Sequence, residues 1–171
     1  MKKLRHLYLD GQCSTPQQID GLPYIPNIQI LNGIRAGDWI ENILEKLTSL
    51  NRLKIKEVSL NHENALASAL PQLQCLNYLA LIGESTSFIP TKLPFHDLNH
   101  LFLLALHGRL EQLPDTTGFP THLMKLTLHF SNLSQDPMPV LGQLQSLESL
   151  KLLEGSYTGK RMVCPPSRFP N

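Results

Sequence analysis

The sequence predicts an α/β solenoid: a curved ribbon of parallel strands, about seven repeats long, with short helical or irregular return segments. Three observations carry this. Leucine recurs in the phrase apolar-x-x-apolar-x-apolar, the phrase returns at steps of 22 to 26 residues, and a further Leu stands three residues ahead of several copies, at Leu47, Leu73, Leu98 and Leu144. Self-similarity at such a period marks a stacked repeat: one unit cannot bury its apolar side alone, and its neighbours complete the core.

In chain order the copies are Leu4-Leu7-Leu9, a weaker one at Ile28-Leu31, then Leu50-Leu53-Ile55, Leu76-Leu79-Leu81, Leu101-Leu104-Leu106, Leu123-Leu126-Leu128 and Leu147-Leu150-Leu152. In the weaker copy Gly33 takes the third apolar place and Ile34 stands one residue late. The strands start near 4, 28, 50, 76, 101, 123 and 147, with steps of 24, 22, 26, 25, 22 and 24. These steps lie within the period of about 20–29 residues of leucine-rich repeats. In each strand positions 1, 4 and 6 point inward and positions 3, 5 and 7 outward, and Leu53, Leu79, Leu104, Leu126 and Leu150 are expected in the core. The asparagine usual at position 9 is absent from all seven copies. Its loss removes a side-chain ladder for backbone groups and predicts an irregular solenoid.

The return legs follow. Asp38-Trp39-Ile40-Glu41 reads as a helix start with Asp38 as N-cap and Glu41 in the capping-box place, and Trp39, Ile40, Ile43, Leu44 and Leu47 share one face. Asn64 to Leu70 predicts a second helix, ended by Pro71, and Asp136-Pro137 a cap with a first-turn proline before Val140, Leu141 and Leu144. Segments 10–27 and 83–97 carry Pro, Gly, Ser and Thr without periodicity and read as loops.

Composition narrows the function. With 171 residues, 42% hydrophobic and 17% charged, the chain reads as a single domain over 1–171. Lys+Arg 15 against Asp+Glu 14 leaves a net charge of +1, too little field for non-specific nucleic-acid or membrane-surface binding. The longest apolar run, Leu101 to Leu106, is far below the roughly 18 residues of a membrane span. Arg5, His6 and Asp10 interrupt any signal-peptide core, so a cytoplasmic location is expected. Cys13, Cys75 and Cys164 form no metal or disulfide pattern and are expected to be reduced and mostly buried.

Few motifs suggest catalysis. His96-Asp97-Leu98-Asn99-His100 places two His at i and i+4, near a zinc-hydrolase signature, but that chemistry needs one helical face, and Leu98 leads into a strand, so the segment is expected to be extended. Gly155-Ser156-Tyr157-Thr158-Gly159-Lys160 is one residue too short for a phosphate loop, and Arg161 stands where Ser or Thr would hold magnesium. Asn132-Leu133-Ser134 fits a glycosylation sequon, inert without secretion. No catalytic, metal or cofactor residue is assigned.

The outward ribbon positions are the remaining candidate. Arg52, Lys54 and Lys56 form a basic strip on one strand, next to Tyr78, Ala80 and Ile82 and then Leu103, Ala105 and His107. Tyr8, Lys125, His129 and Lys151 extend the same face. A basic strip beside an apolar one suits a protein partner, with Tyr78 as an aromatic anchor; solvated charge and scattered surface apolars account for the same residues without one. His107 and His129 both occupy position 7 of adjacent repeats, so their backbones are expected about 4.8 Å apart. Their charges would then repel, the alternative being two solvated imidazoles that titrate independently.

Several phrases are more specific than the repeat. Met1-Lys2-Lys3-Leu4-Arg5-His6-Leu7-Tyr8-Leu9, Leu31-Asn32-Gly33-Ile34-Arg35-Ala36-Gly37-Asp38-Trp39 and Gly108-Arg109-Leu110-Glu111-Gln112-Leu113-Pro114 resemble the repeats of plant coiled-coil-class nucleotide-binding disease resistance proteins. So do Asp136-Pro137-Met138-Pro139 and the stretch Leu152 to Lys160. The resemblance implies an intracellular immune receptor's recognition and regulatory scaffold. It implies protein partners: a pathogen effector, a guarded host protein, or the receptor's own nucleotide-binding domain. The sequence holds neither a Walker A motif nor coiled-coil heptads, and Phe169-Pro170-Asn171 matches the Phe119-Pro120 lead to a repeat. It therefore reads as an uncapped piece of a longer array, present without the nucleotide-binding switch. A stand-alone adaptor, a non-functional receptor fragment and, more remotely, a metal-dependent hydrolase are the alternatives.

Overall fold

The computed structural model describes residues 3–9, 25, 27–84 and 87–164. Among these residues seven strands, β1 (His6–Tyr8), β2 (Ile30–Arg35), β3 (Arg52–Val58), β4 (Tyr78–Gly83), β5 (Leu103–His107), β6 (Lys125–His129) and β7 (Ser149–Leu152), form one parallel sheet in chain order. Each begins two residues after the first apolar position of its repeat. A recurring turn explains the offset. The N–H of that first residue donates to the carbonyl three residues back in Leu50 to Leu47, Leu76 to Leu73, Leu101 to Leu98 and Leu147 to Leu144, at 3.0–3.1 Å. The following carbonyl then accepts two N–H groups of the next repeat, as Asn51 does from Asn77 (2.8 Å) and Tyr78 (3.1 Å). The additional leucines thus close the turn with their backbone and extend the core with their buried side chains.

Alternation puts Leu53, Leu79, Leu104 and Leu126 at 0% exposure in one continuous apolar core. Leu150 departs from expectation. It is half-buried, because β7 has a strand neighbour on one side only among the described residues. The weak second repeat is repaired by a bulge: the register shifts between Asn32 and Ile34, Gly33 adopts φ 85°, and Ile34 pairs with Ile55 and is buried. A second shift between Ile55 and Val58 carries Glu57 at φ 59°.

The legs on the opposite side are short. Helix α1 (Trp39–Asn42) starts where expected, but Asp38 makes no side-chain cap: its backbone is already helical (φ −57°, ψ −21°). Trp39 Nε1 instead donates to the Arg35 carbonyl at 2.7 Å. Helix α2 (Glu63–Ala69) runs into a 3₁₀ turn, Leu70–Gln72, that contains Pro71. Helix α3 (Met138–Leu141) is led by Asp136, whose Oδ1 accepts from the Met138 N–H at 2.9 Å. The loop expected over 83–97 holds a bridge from Phe88 to Arg109 and a 3₁₀ turn at Phe95–Asp97. The expected loop over 10–27 lies outside the described residues apart from Ile25 and Asn27, as do the lead at Phe169-Pro170 and Cys13.

One expectation about the thiols needs correction. Cys75 and Cys164 are exposed free thiols, not buried ones; Cys75 falls in the turn just ahead of Leu76, where the side chain leaves the core. The missing asparagine ladder is replaced by backbone. Beyond the strand ends Ile89 N–H bonds Arg109 O (2.8 Å), Leu110 N–H bonds Ser131 O (3.0 Å) and Asn132 N–H bonds Gly155 O (2.8 Å). The irregularity of the solenoid therefore lies in bulges and strand-end turns. No helix among the described residues is long and apolar enough to cross a membrane.

Candidate functional site

The outward positions form a continuous face because the strands run parallel and nearly in step. Tyr8, on β1, is 57% exposed. Arg52 stands opposite Tyr78 in the register and lays its guanidinium 4.5 Å over the ring. Burial raises the Tyr78 hydroxyl above its ordinary range, and the Arg52 charge acts against that. Lys54 and Lys56 are half-buried and engaged with neighbours, Lys56 Nζ reaching the Leu9 carbonyl at 3.5 Å. Arg35, which follows the bulge into this row, pairs with Glu57 at 3.0 Å.

The middle of the face is low. Ala80 and Ala105 lie side by side, 1% and 5% exposed, between Tyr78 and Leu103 on one flank and Ile82 and His107 on the other. Lys125 pairs in register with Leu103, and Lys151 with Thr127; both lysines are exposed. His107 and His129 are register partners, as their spacing predicts, with ring centroids 5.4 Å apart edge to face. Burial, then the charges of His129 and Lys54, hold the His107 imidazole below its ordinary range.

Sequence reasoning missed what lies at the strand ends. A groove of about 630 Å³ is lined there by Ile82, Gly83, His107, His129, Phe130 and Gly155, with Glu84, Gly108, Arg109 and Asn132 completing its rim. Phe130 is 49% exposed, yet its ring is fixed: it stacks on His129 at 4.0 Å, and a Cβ at Gly155 would meet its Cδ1 at 2.8 Å. Phe130 and Asn132 both adopt left-handed backbone, φ 53° and 54°. Outward alternation cannot locate these residues, because the chain has left the strand where they stand. The glycines at 83, 108 and 155 were the available signal.

The other motifs resolve differently. His96 sits in the 3₁₀ turn, where its Nε2 lies 3.4 Å from Asp97 Oδ1, and His100 falls in the next turn, so the segment is neither extended nor one helical face. Among the described residues no three His, Cys, Asp or Glu side chains gather as a metal site. Gly155 to Lys160 continues the backbone ladder through a bridge between Tyr157 and Leu133. Asn132 of the sequon is exposed at the groove rim.

The period, the parallel sheet and its single core define the class, and comparison agrees: the family described as leucine-rich repeat region matches residues 1–171, and the chain belongs to it. Its relatives are plant disease resistance proteins. Disease resistance protein RPP8 of Arabidopsis thaliana is 28% identical over 173 residues, covering 99% of this chain and 19% of that protein. Probable disease resistance protein RF45 of the same plant is 30% identical over 174 residues, 99% of this chain and 17% of its own length. Probable disease resistance protein RF9, also from Arabidopsis thaliana, is 35% identical over 137 residues, 75% of this chain and 12% of the relative. The chain thus spans less than one fifth of the length of these relatives.

Proposed function

We propose that the outward ribbon face is a protein-recognition surface, and that the chain serves as the sensing and regulatory scaffold of a cytoplasmic plant immune receptor. The carrying observation is the placement of charge. At positions 3, 5 and 7 of the seven repeats stand Arg52, Lys54, Lys56, Lys125 and Lys151 against a single acid, Asp10, although the whole chain has nearly equal numbers of each sign. Cations set beside Tyr78, Ile82 and Leu103 offer both steering and buried contact to a protein partner. A pathogen effector, a guarded host protein and the receptor's own nucleotide-binding domain are the partner classes that fit such a scaffold. The work of the chain is binding, without a reaction of its own.

Site-specific photo-crosslinking in plant cells tests the reading. A crosslinker in place of Tyr78 or Lys151 is expected to capture a defined protein, and charge reversal at Arg52, Lys54 and Lys56 to weaken the capture and its salt dependence. Equal capture from Glu45 or Gln72, which are exposed on the return-leg side, would refute it.

A further inference from the structure

We propose that the groove at the ends of β4–β6 is the anchoring subsite of the recognition face, and that its occupant is an acidic segment of a partner protein. One large apolar or aromatic side chain of that segment enters between Ile82, His107, His129 and Phe130, while its carboxylates lie along the ribbon. This rests on the reading of the face as a protein-recognition surface and adds the partner's chemistry and its point of attachment.

Three independent features converge on the groove. The first is backbone strain. Among the described residues other than glycine, left-handed backbone occurs at Glu57, Phe130 and Asn132, and two of these three line the groove. A bulky aromatic in that region is costly and persists where surrounding structure holds it, a situation common at ligand clamps. The second is pre-ordering. Phe130 is about half exposed but stacked on His129 and laid over Gly155, so a ligand meets a fixed ring and loses little side-chain freedom in the encounter. Its volume of about 630 Å³ falls in the range of about 300–1,000 Å³ usual for ligand sites.

The third is charge. The groove itself carries one fixed charge of each sign, Glu84 and Arg109, so the sign of the occupant is set by the ribbon. The ribbon that leads to it presents the exposed cations Arg52, Lys125 and Lys151, and the carboxylate beside it, Glu57, is already paired with Arg35. Cations thus outnumber carboxylates along this path, which favours an acidic segment over a basic one. The buried alanines at 80 and 105 leave a shallow slot between the flanks, low enough for an extended chain to approach the sheet.

A random dodecapeptide library displayed on phage and panned on the full chain supplies the test, with binding of selected peptides measured by fluorescence anisotropy. The selected peptides are expected to carry net negative charge and one Phe, Trp, Tyr or Leu. Their affinity should fall at least about tenfold on Phe130→Asn, and again on the pair Lys125→Glu and Lys151→Glu, while Lys46→Glu on the return-leg side changes nothing. Asn tolerates left-handed backbone, so Phe130→Asn removes the ring with the fold kept, which circular dichroism verifies. Acidic peptides indifferent to Phe130→Asn would overturn the anchor. Neutral or basic peptides that still lose affinity on the ribbon substitutions would overturn the acidic occupant and leave the recognition face standing. Peptides affected only by return-leg substitutions would remove both. An oligo-thymidine strand that competes as well as the acidic peptides, or a library that yields no specific binder, likewise overturns the proposal.

Discussion

Strands β2–β4 and strands β4–β6 share a strand and a core but not a register. The first set is interrupted twice, between Asn32 and Ile34 and between Ile55 and Val58, and holds its left-handed residues, Gly33 and Glu57, inside the ladder. The second pairs five residues with five without a shift, Tyr78–Ile82 on Leu103–His107 and these on Lys125–His129, and carries its strain just beyond the strand ends at Phe130 and Asn132. Where the register breaks, unlike charges meet, as Arg35 and Glu57 do at 3.0 Å. Where it holds, like stacks on like: alanine on alanine, histidine on histidine. The basic strip Arg52, Lys54 and Lys56 stands on β3 in the interrupted half, whereas the groove belongs to the regular half.

The largest expected effect tests what both halves share. Leu104→Ala, at 0% exposure in the regular half, should cost about 2–5 kcal/mol in chemical denaturation. Leu150→Ala, half-buried on β7, should cost distinctly less; equal losses would mean that stacking on both sides does not set the burial energy. Next comes Gly108→Ala, at φ 140° and with the new Cβ 3.0 Å from Ile89 Cδ1. A loss of about 1–3 kcal/mol is expected from the backbone alone, and an unchanged melting temperature would count against it.

Phe130→Asn should change stability by less than about 1 kcal/mol, because the lost stacking on His129 is offset by relief of the left-handed backbone. A loss like the about 3–5 kcal/mol of a buried Phe truncation would place Phe130 in the core and not at a docking site. Smaller still is the pH response. The folded state holds His107 below its ordinary range, so the unfolded chain takes up that proton first as pH falls. Stability from this group is full above the ordinary histidine range, about pH 6.5, and declines as pH drops through the depressed folded value. NMR titration checks it: the His107 midpoint should rise in His129→Gln, and two curves that ignore each other would end the idea of a coupled pair. Hydrogen exchange sharpens the remaining contrast, with residues 3–9 and 155–164 expected to exchange faster than β3–β6.

Much of the fold was legible. The phrase apolar-x-x-apolar-x-apolar located every strand to within two residues, since inward alternation and a fixed repeat length leave little freedom in a stacked solenoid. The same phrase placed His107 beside His129, a contact 22 residues apart in sequence. Short-range chemistry read less well. Asp38 occupies the start of α1 without capping it, and Cys75 is exposed in a turn where composition suggested burial. Both depend on one residue's backbone angle or on which way a turn faces, and neither quantity is periodic.

For the outward face of the ribbon, the order of the side chains along each strand was determined by sequence alone, because a pleated strand alternates its faces whatever lies around it. Whether neighbouring strands present those side chains in step was decided by tertiary structure, through the bulges of β2 and β3. The groove was decided there as well. His129 and Phe130 are neighbours in the chain, but Ile82, His107 and Gly155 join them only when adjacent repeats stack, and the ring keeps its place because a glycine from the next repeat leaves room beneath it.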